Sequence, residues 1–440
     1  MEPTRVDPPH AGREGSFGVR QAAFIGVGAM VGAGIFSLLG AAGEVAGAAV
    51  WISFLLAGVI AILQGYSFAK FGARYPSAGG LLEYVVRGFG DGHATGLMAW
   101  LVYFVNAIVT AMVAISFGSY ASSALADGST LWIKVFAVGV IGAMTVLNMV
   151  GSEAVARVQT IVVIVVIGIL TVFAGATLSN IDPHLLAPSG YPSVTAIVSG
   201  VALTFFAFLG FGVITFTAKD LDDPAHQLPS AMYLALGIAT VVYVAVSLGV
   251  FGTLTVQEVI DSGGTALAVA AEPVLGRAGY WMMSITALFA TSGATNAGLY
   301  PATGLCDQMA TVGQFPPAMA RRVGSRLSVG LVGTAVISAL LAGLFDLNAI
   351  ASIGSAVALI VFTLISAAHL RLRHETGANA VVLTIGMVST ATVFVTFALT
   401  TFVDETATIV LLVSIVVLSA VVDRIWKRRR PLTPALGTAA

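Results

Sequence analysis

Long apolar runs separated by short polar segments fill the chain between residues 21 and 426. A helix needs about 20 apolar residues to cross a bilayer, and twelve windows of this sequence come close to or exceed that length. We number them spans one to twelve, and their limits are 21–42, 47–69, 94–124, 131–150, 155–179, 193–218, 230–254, 279–303, 328–345, 348–370, 379–402 and 406–426. The pattern predicts an all-α polytopic membrane protein with twelve transmembrane helices.

The composition agrees with this prediction. Hydrophobic residues make up 58% of the 440 residues and charged residues 9%, whereas soluble domains carry about 25% charged residues. The single cysteine, Cys306, excludes an internal disulfide and a metal cluster built on cysteines. The six histidines show no metal-ligand spacing, so we expect them to be solvated loop residues, with no metal and no cofactor. A net charge of −1 argues against a nucleic-acid partner.

The distribution of lysine and arginine predicts the orientation. Eighteen of the 20 basic residues fall on the cytoplasmic side if the N-terminus is cytoplasmic, and basic loops stay inside. We therefore expect a multi-pass plasma-membrane protein with cytoplasmic tails at 1–20 and 427–440. The first apolar run is too long for a signal-peptide core, which favours a retained helix. The longest piece between spans, 255–278, is either a short amphipathic helix on the external surface or a plain loop.

Span one contains an unusual concentration of glycine, in the stretch GVGAMVGAGIFSLLG at residues 26–40. A nucleotide-binding glycine loop would need a preceding strand, and none is predicted. Gly28 and Gly32 could instead let another helix approach closely. Alternatively the helix is interrupted, which lipid tolerates only where the open backbone faces a cavity or a ligand. Interruption predicts a matching break in a second repeat, and Gly210 and Gly212 in the middle of span six, five spans later, favour it.

An interruption at residues 31–34 would create a site with two electrical poles. The second half-helix would begin with free N–H groups on Ala33, Gly34 and Ile35, and a helix N-terminus attracts anions. The opposite ends would present carbonyls suited to an ammonium group, near Met30, Val31, Phe208 and Leu209. Glycine at Gly32 and Gly34 would let a ligand reach the backbone. An anion pole beside a cation pole fits a zwitterion, and an α-amino acid is the obvious one.

Three motifs resemble the amino acid–polyamine–organocation (APC) superfamily of permeases. They are GVGAMVGAGIF in span one, YPSAGGLLEYV after span two, and FFAFLGFGVITFTAKDLDDPAHQLPSAM in span six. The resemblance covers residues 20–426 and implies the LeuT-like fold, a five-plus-five inverted repeat with discontinuous helices one and six. Repeat one would be 21–179 and repeat two 193–370, followed by helices eleven and twelve at 379–426.

The resemblance also implies alternating access around a substrate held between spans one, three, six, eight and ten. By position, Ala33, Gly34 and Ile35 would hold the substrate carboxylate, and the Met30 and Leu209 carbonyls its amino group. An aromatic residue often gates the site from outside, a role implied for Phe206 or Phe208.

The chain departs from the family pattern at three places. Many relatives have an acid where Gly212 stands and Glu-Glu where Lys219-Asp220 stands, and proton-coupled members have a lysine where Val166 stands. An intramembrane charge normally points to ion coupling. We therefore do not expect proton symport through the usual lysine.

Polar residues within the spans are further candidates for the pocket wall. They are Asn106, Thr110, Thr291, Ser292, Asn296, Ser352 and Ser355. Asn106 and Asn296 rank highest because burying an amide without a partner is unfavourable. Thr291 and Ser292 could also supply hydroxyls to a sodium ion.

These patterns predict a secondary transporter of amino acids, driven by a gradient or by exchange. Neutral substrates are favoured because no interior acid would balance a second positive charge. A transporter of polyamines or organic amines, or a sensor with the same fold that does not transport, stays an alternative. A membrane-embedded enzyme would need clustered acid, base or nucleophile residues at membrane depth, and the sequence offers none, so we expect no enzyme.

Overall fold

The computed structural model describes residues 18–75, 81–150, 153–323, 327–400 and 406–429. The α-helices are α1 Val19–Ala33, α2 Ile35–Ala46, α3 Val50–Arg74, α4 Leu81–Phe89, α5 His93–Leu125, α6 Thr130–Val150, α7 Glu153–Ser179, α8 Val194–Phe206, α9 Pro224–Phe251, α10 Val256–Ser262, α11 Ala266–Thr311, α12 Val329–Leu344, α13 Leu347–Thr376, α14 Ala380–Thr400 and α15 Thr406–Arg429. Within these ranges the strands are the antiparallel pair β1 Arg322–Val323 and β2 Leu327–Ser328. The predicted tails lie almost wholly outside the described residues.

The helices confirm a multi-pass membrane protein. Over the described ranges, nine helical segments are long and apolar enough to cross a membrane by length and composition. One of them, Ile35–Arg74, is 40 residues long and combines α2 with α3, while α1 and α12 form shorter apolar helices. Each predicted span coincides with one of the helices or with a pair of them. The count of twelve crossings and the two inverted repeats stay predictions.

Polar side chains and a glycine mark several helix ends. Asp346 accepts a hydrogen bond from the Ala349 N–H at 2.8 Å and so caps the start of α13, which separates spans nine and ten. Gly377 ends α13 in the left-handed conformation, with φ of 63°. Thr255 and Glu258 form a capping box at the start of α10. These ends satisfy backbone groups that have no partner inside their own helix.

The predicted surface segment 255–278 is helical, so the plain-loop alternative is wrong. It contains α10 and the first turns of α11, which bends at Gly276, where φ is 69°. Its apolar side contacts protein: Leu267 is buried, and a Cβ on Gly40 of α2 would lie 2.8 Å from the Gly263 Cα. The segment therefore packs against the second half of span one.

The two spans predicted to be interrupted lie at the centre of the molecule. α1 contacts α7, α9, α11 and a 3-10 helix, Leu209–Asp220, that follows α8. The outer helices instead expose apolar side chains, such as Ile161 and Val172 on α7 and Leu399 on α14. An exposed apolar surface on long helices suits contact with lipid.

The motif after span two joins two helix ends. Tyr75, its first residue, donates a hydrogen bond to the Glu375 carboxylate near the end of α13. This hydrogen bond, together with partial burial, raises the pKa of Tyr75. Residues 76–80 of the motif lie outside the described residues.

Candidate functional site

The break in span one is narrower than predicted. α1 continues through Ala33, and only Gly34 separates it from α2, with φ of −94° and ψ of −73°. The Gly34 N–H donates to the Met30 carbonyl at 2.8 Å, and the Gly34 carbonyl accepts from Ser37 and Leu38 at 3.1 Å. The predicted unwinding over residues 31–34 is therefore wrong for this conformation. Because the Gly34 N–H donates to the Met30 carbonyl, this N–H is not free for a ligand here.

The break in span six comes earlier than its glycines. α8 ends at Phe206, Ala207 and Phe208 form a turn, and the 3-10 helix Leu209–Asp220 follows. The carbonyls at the turn are occupied: that of Ala207 accepts from the Tyr243 hydroxyl at 3.1 Å, and that of Phe208 accepts from the Phe211 N–H at 3.0 Å. The prediction placed the break at Gly210 and Gly212, which stand inside the 3-10 helix. Runs of this type longer than three or four residues are uncommon and often mark a hinge.

Glycines let the two interrupted spans touch backbone to backbone. A Cβ on Gly34 would lie 2.6 Å from the Ala207 Cβ and 2.6 Å from the Tyr243 hydroxyl. A Cβ on Gly210 would lie 2.5 Å from both the carbonyl carbon of Ala29 and the amide nitrogen of Met30. The turn in each span thus lies against the other span.

Gly32 serves a different contact. A Cβ there would lie 2.3 Å from the Ala290 carbonyl oxygen of α11. Close helix contact, the alternative explanation of the span-one glycines, therefore holds together with interruption.

A cavity of about 110 Å³ lies where these elements meet. Its wall comes from α1, α3, α5, α11, α13 and the helix after the span-six break. Four predicted site residues line it: Asn106, Leu209, Gly210 and Gly212. A Cβ on Gly212 would meet no described atom within 4 Å, so this glycine enlarges the cavity.

Asn106 is the one polar side chain among the described residues of this wall. Its Nδ2 donates to the Gly298 carbonyl of α11 at 2.8 Å, which orients the amide. The remaining N–H and the amide oxygen are available to a ligand. The rest of the wall is aliphatic, aromatic or glycine.

Asn296, the second favoured amide, does not line the cavity. Its Oδ1 accepts from the Asn148 Nδ2 of α6 at 2.6 Å. The cavity side of α11 is formed by Ala294, Ala297 and Gly298, and Asn296 points to a neighbouring face of that helix. The sequence identifies both asparagines, but only the rotation of α11 in the structure shows that Asn296 does not face the cavity as Asn106 does.

The two aromatic gate candidates differ in position, and neither lines the cavity. The Phe206 ring lies against α13, since a Cβ on Gly354 would be 2.4 Å from its tip. Phe208 instead packs edge-to-face on Tyr243, with ring centroids 4.9 Å apart. Phe206 therefore lies between span six and span ten, whereas Phe208 faces α9.

Sequence reasoning missed the aromatic wall. Phe68 and Phe362 stack with their centroids 5.4 Å apart, and both line the cavity together with Phe216. Nothing in the one-dimensional pattern separates these rings from phenylalanines that fill the core. The one feature of the sequence that these phenylalanines share is their position within the central spans.

Val31 and Gly32 line a separate void of about 10 Å³ between α1, α7 and α11. Val166, at the position where proton-coupled relatives have a lysine, is buried and faces the same void. Met30 and Ile35 are buried as well. The side chains of Ala33, Lys219 and Asp220 lie outside what the structure describes.

The two hydroxyl groups proposed to bind sodium donate hydrogen bonds within their own helix. Thr291 donates to the Ala287 carbonyl and Ser292 to the Leu288 carbonyl, both at 2.6 Å. This is a common arrangement for such residues in membrane helices. Over the described ranges, no group of three or more His, Cys, Asp and Glu side chains could hold a metal ion.

His369 departs from the expectation of solvated histidines. It is fully buried in α13, with its ring nitrogens 2.7 Å from the Ser67 hydroxyl and 2.9 Å from the Thr376 hydroxyl. Its ring stacks on Phe71 at 3.9 Å. It ties α13 to α3, away from the cavity wall.

Known proteins are similar in sequence to most of this chain. A family model described as "Amino acid permease" matches residues 17–427. The inner membrane transport protein YbaT of Escherichia coli (strain K12) is 33% identical over 408 residues, which cover 92% of this chain and 95% of that protein. The branched-chain amino acid permease BcaP of Bacillus subtilis (strain 168) is 26% identical over 375 residues, covering 80% of this chain and 79% of that protein. The methylthioribose transporter of the same organism is 27% identical over 371 residues, with the same two shares.

Proposed function

Because this chain belongs to the amino acid permease family of the APC superfamily, we propose that this membrane transporter moves neutral amino acids across the plasma membrane by alternating access. The observation that carries the proposal is the cavity at the crossing of the two interrupted spans. Its described wall contains one amide, from Asn106, and no titratable side chain. Such a wall favours an apolar substrate side chain and gives no partner to a second charge.

The main-chain groups of the substrate would be recognised by the broken helices. We assign its carboxylate to the start of α2, at Gly34 and Ile35 with the preceding Ala33, where the helix end carries partial positive charge. The amino group would bind carbonyls at Met30 and Leu209. In the conformation described, Gly34 and Met30 bond to each other, so substrate binding would open that bond. Gly34 is the residue at which span one would bend.

Alternating access would move span one and the second half of span six relative to the helices around them. The cavity is lined by Ala29, before the first break, and by residues after the second break. Both parts lie on the side that the basic residues predict to be cytoplasmic, and we therefore assign the cavity to the cytoplasmic half of the pathway. Phe206, between span six and span ten, would separate it from the external side.

The energy would come from an ion gradient or from exchange, since the sequence carries no ATP-binding motif. Val166 fills the lysine position of proton-coupled relatives with an apolar side chain, which argues against that route. A sodium ion at Thr291 and Ser292 stays a hypothesis that sodium replacement during uptake would test.

The test combines ligand screening with reconstituted transport. Thermal unfolding of the purified protein against a panel of amino acids and polyamines identifies binders, because a ligand of the folded state raises the midpoint. We expect neutral amino acids to raise it and to show saturable uptake into proteoliposomes. Binding without uptake would favour a sensor, and a response to polyamines alone would favour an amine transporter.

A matched pair of variants tests the assignment to Gly34. Gly34→Leu drives a side chain into Ala207 and Tyr243 and is expected to reduce uptake to background, with membrane insertion near wild type. Gly237→Leu in α9 is the control, since a Cβ there meets no described atom within 4 Å. Wild-type uptake by Gly34→Leu protein would refute the assignment.

A further inference from the structure

A second cavity, of about 300 Å³, lies beyond the two breaks on the opposite side from the first. It is lined by the end of α2, the start of α8, the start of α13 and the end of α14. The first cavity touches span one before its break and span six after its break, and this one touches the complementary halves. Its wall is mostly polar in residue type, with hydroxyls, an amide and one carboxylate.

Ser352 presents an unused hydroxyl to this cavity. It is 4% exposed, lines the cavity, and makes no hydrogen bond to any described residue. Its neighbour Ser355 shows the usual arrangement, donating to the Ala351 carbonyl one turn back at 2.7 Å. The Ser352 hydroxyl is open to the cavity, where water or a ligand can satisfy it.

Glu44 supplies the charge. Its carboxylate accepts one hydrogen bond, from the Asn348 Nδ2 at 2.8 Å, and it forms no ion pair with the lysines and arginines that the structure describes. A carboxylate offers about four acceptor positions on its two oxygens, so further positions stay open. No cationic side chain lines the cavity among the described residues. The cavity thus combines a negative charge with a free hydroxyl.

We propose that this second cavity binds a primary ammonium group, which donates hydrogen bonds to the Glu44 carboxylate and the Ser352 hydroxyl. An ammonium group has three donors on one compact charge and matches both acceptors. During transport, this ammonium group would be the amino group of a substrate amino acid that waits outside the central site. This part of the proposal rests on the proposed function. Binding of a simple amine does not depend on transport.

The probe is n-butylamine, which carries the ammonium group but no carboxylate. Its effect on the thermal unfolding midpoint of the purified full-length protein gives an apparent affinity. We expect Glu44→Gln and Ser352→Ala each to weaken it, Glu44→Gln by about fivefold or more, because a hydrogen bond to a charged group contributes more than a neutral one. Glu272→Gln is the matched control, since Glu272 is exposed, as Glu44 is, but does not line the cavity.

The outcomes separate the two proposals. An unchanged butylamine affinity in Glu44→Gln, or no butylamine response in a wild-type protein that transports amino acids, overturns the second site alone. Equal loss in Glu272→Gln also overturns it, because the effect would then be one of general surface charge. If Glu44→Gln loses the butylamine response while the wild-type protein takes up no amino acid, the second site stands and the transport proposal is refuted.

Discussion

Alanine substitution at Gly210 and Gly212 gives two opposite expectations from one chemical change. Both glycines line the first cavity within the same 3-10 helix. At Gly210 the new Cβ would lie 2.5 Å from backbone atoms of Ala29 and Met30, so the two interrupted spans must separate. Overpacking of this kind costs about 1–3 kcal/mol, against about 0.4–1 kcal/mol gained by restricting the unfolded chain. At Gly212 the Cβ enters open space, and only the gain applies.

Gly210→Ala should therefore be less stable than Gly212→Ala by about 1–3 kcal/mol. Thermal unfolding of both variants in the same detergent measures the difference, and proteoliposome uptake shows whether the crossing matters for transport. We expect Gly210→Ala to unfold at a lower temperature than wild type and to lose most uptake. Gly212→Ala should unfold at or slightly above the wild-type temperature and transport. Equal midpoints for the two variants would refute the crossing geometry.

Four further substitutions test separate parts of the molecule. Gly212→Glu places a carboxylate in the cavity and should lower neutral amino acid uptake at least about tenfold, since an unpaired buried charge costs several kcal/mol. Free lysine should then compete with the neutral substrate for uptake, and uptake that lysine does not affect would contradict this prediction. Asn106→Ala should raise the KM about three- to tenfold through the loss of one hydrogen bond, whereas Asn148→Ala, which breaks the bond between α6 and α11, should lower the unfolding midpoint with KM unchanged. Hydrogen bonds from Thr255, chiefly from its backbone N–H and also from its hydroxyl, lower the pKa of Glu258 from its ordinary value of 4.5. The ionised carboxylate therefore stabilises α10 above pH 4.5, and this stabilisation is lost as the pH falls through the lowered pKa of the folded state. The midpoint difference between wild type and Glu258→Gln should shrink correspondingly, and a difference that grows on acidification would disprove the capping role.

The sequence by itself determined the membrane class and the approximate positions of the spans, and its motifs indicated the family. Lipid cannot hydrogen-bond to a backbone, so a crossing segment must satisfy its own backbone groups as a helix does, or belong to a closed barrel, and long, mainly apolar runs indicate the helix. Both requirements are local, and the windows can be read without knowing their neighbours. The central glycines, five spans apart, likewise indicated that spans one and six are special, and the structure has a break in each.

Tertiary structure decided where each break falls and which side chains meet. Span six turns at Ala207 and Phe208, ahead of its glycines, and Gly210 instead lies in close contact with Ala29 and Met30. Asn106 reaches the cavity while Asn296 pairs with Asn148. A sequence records which residues share a helix, but the rotation and crossing of each helix depend on contacts with all its neighbours. Cavities, aromatic walls and buried histidines are produced by those crossings, and for that reason only the folded chain reveals them.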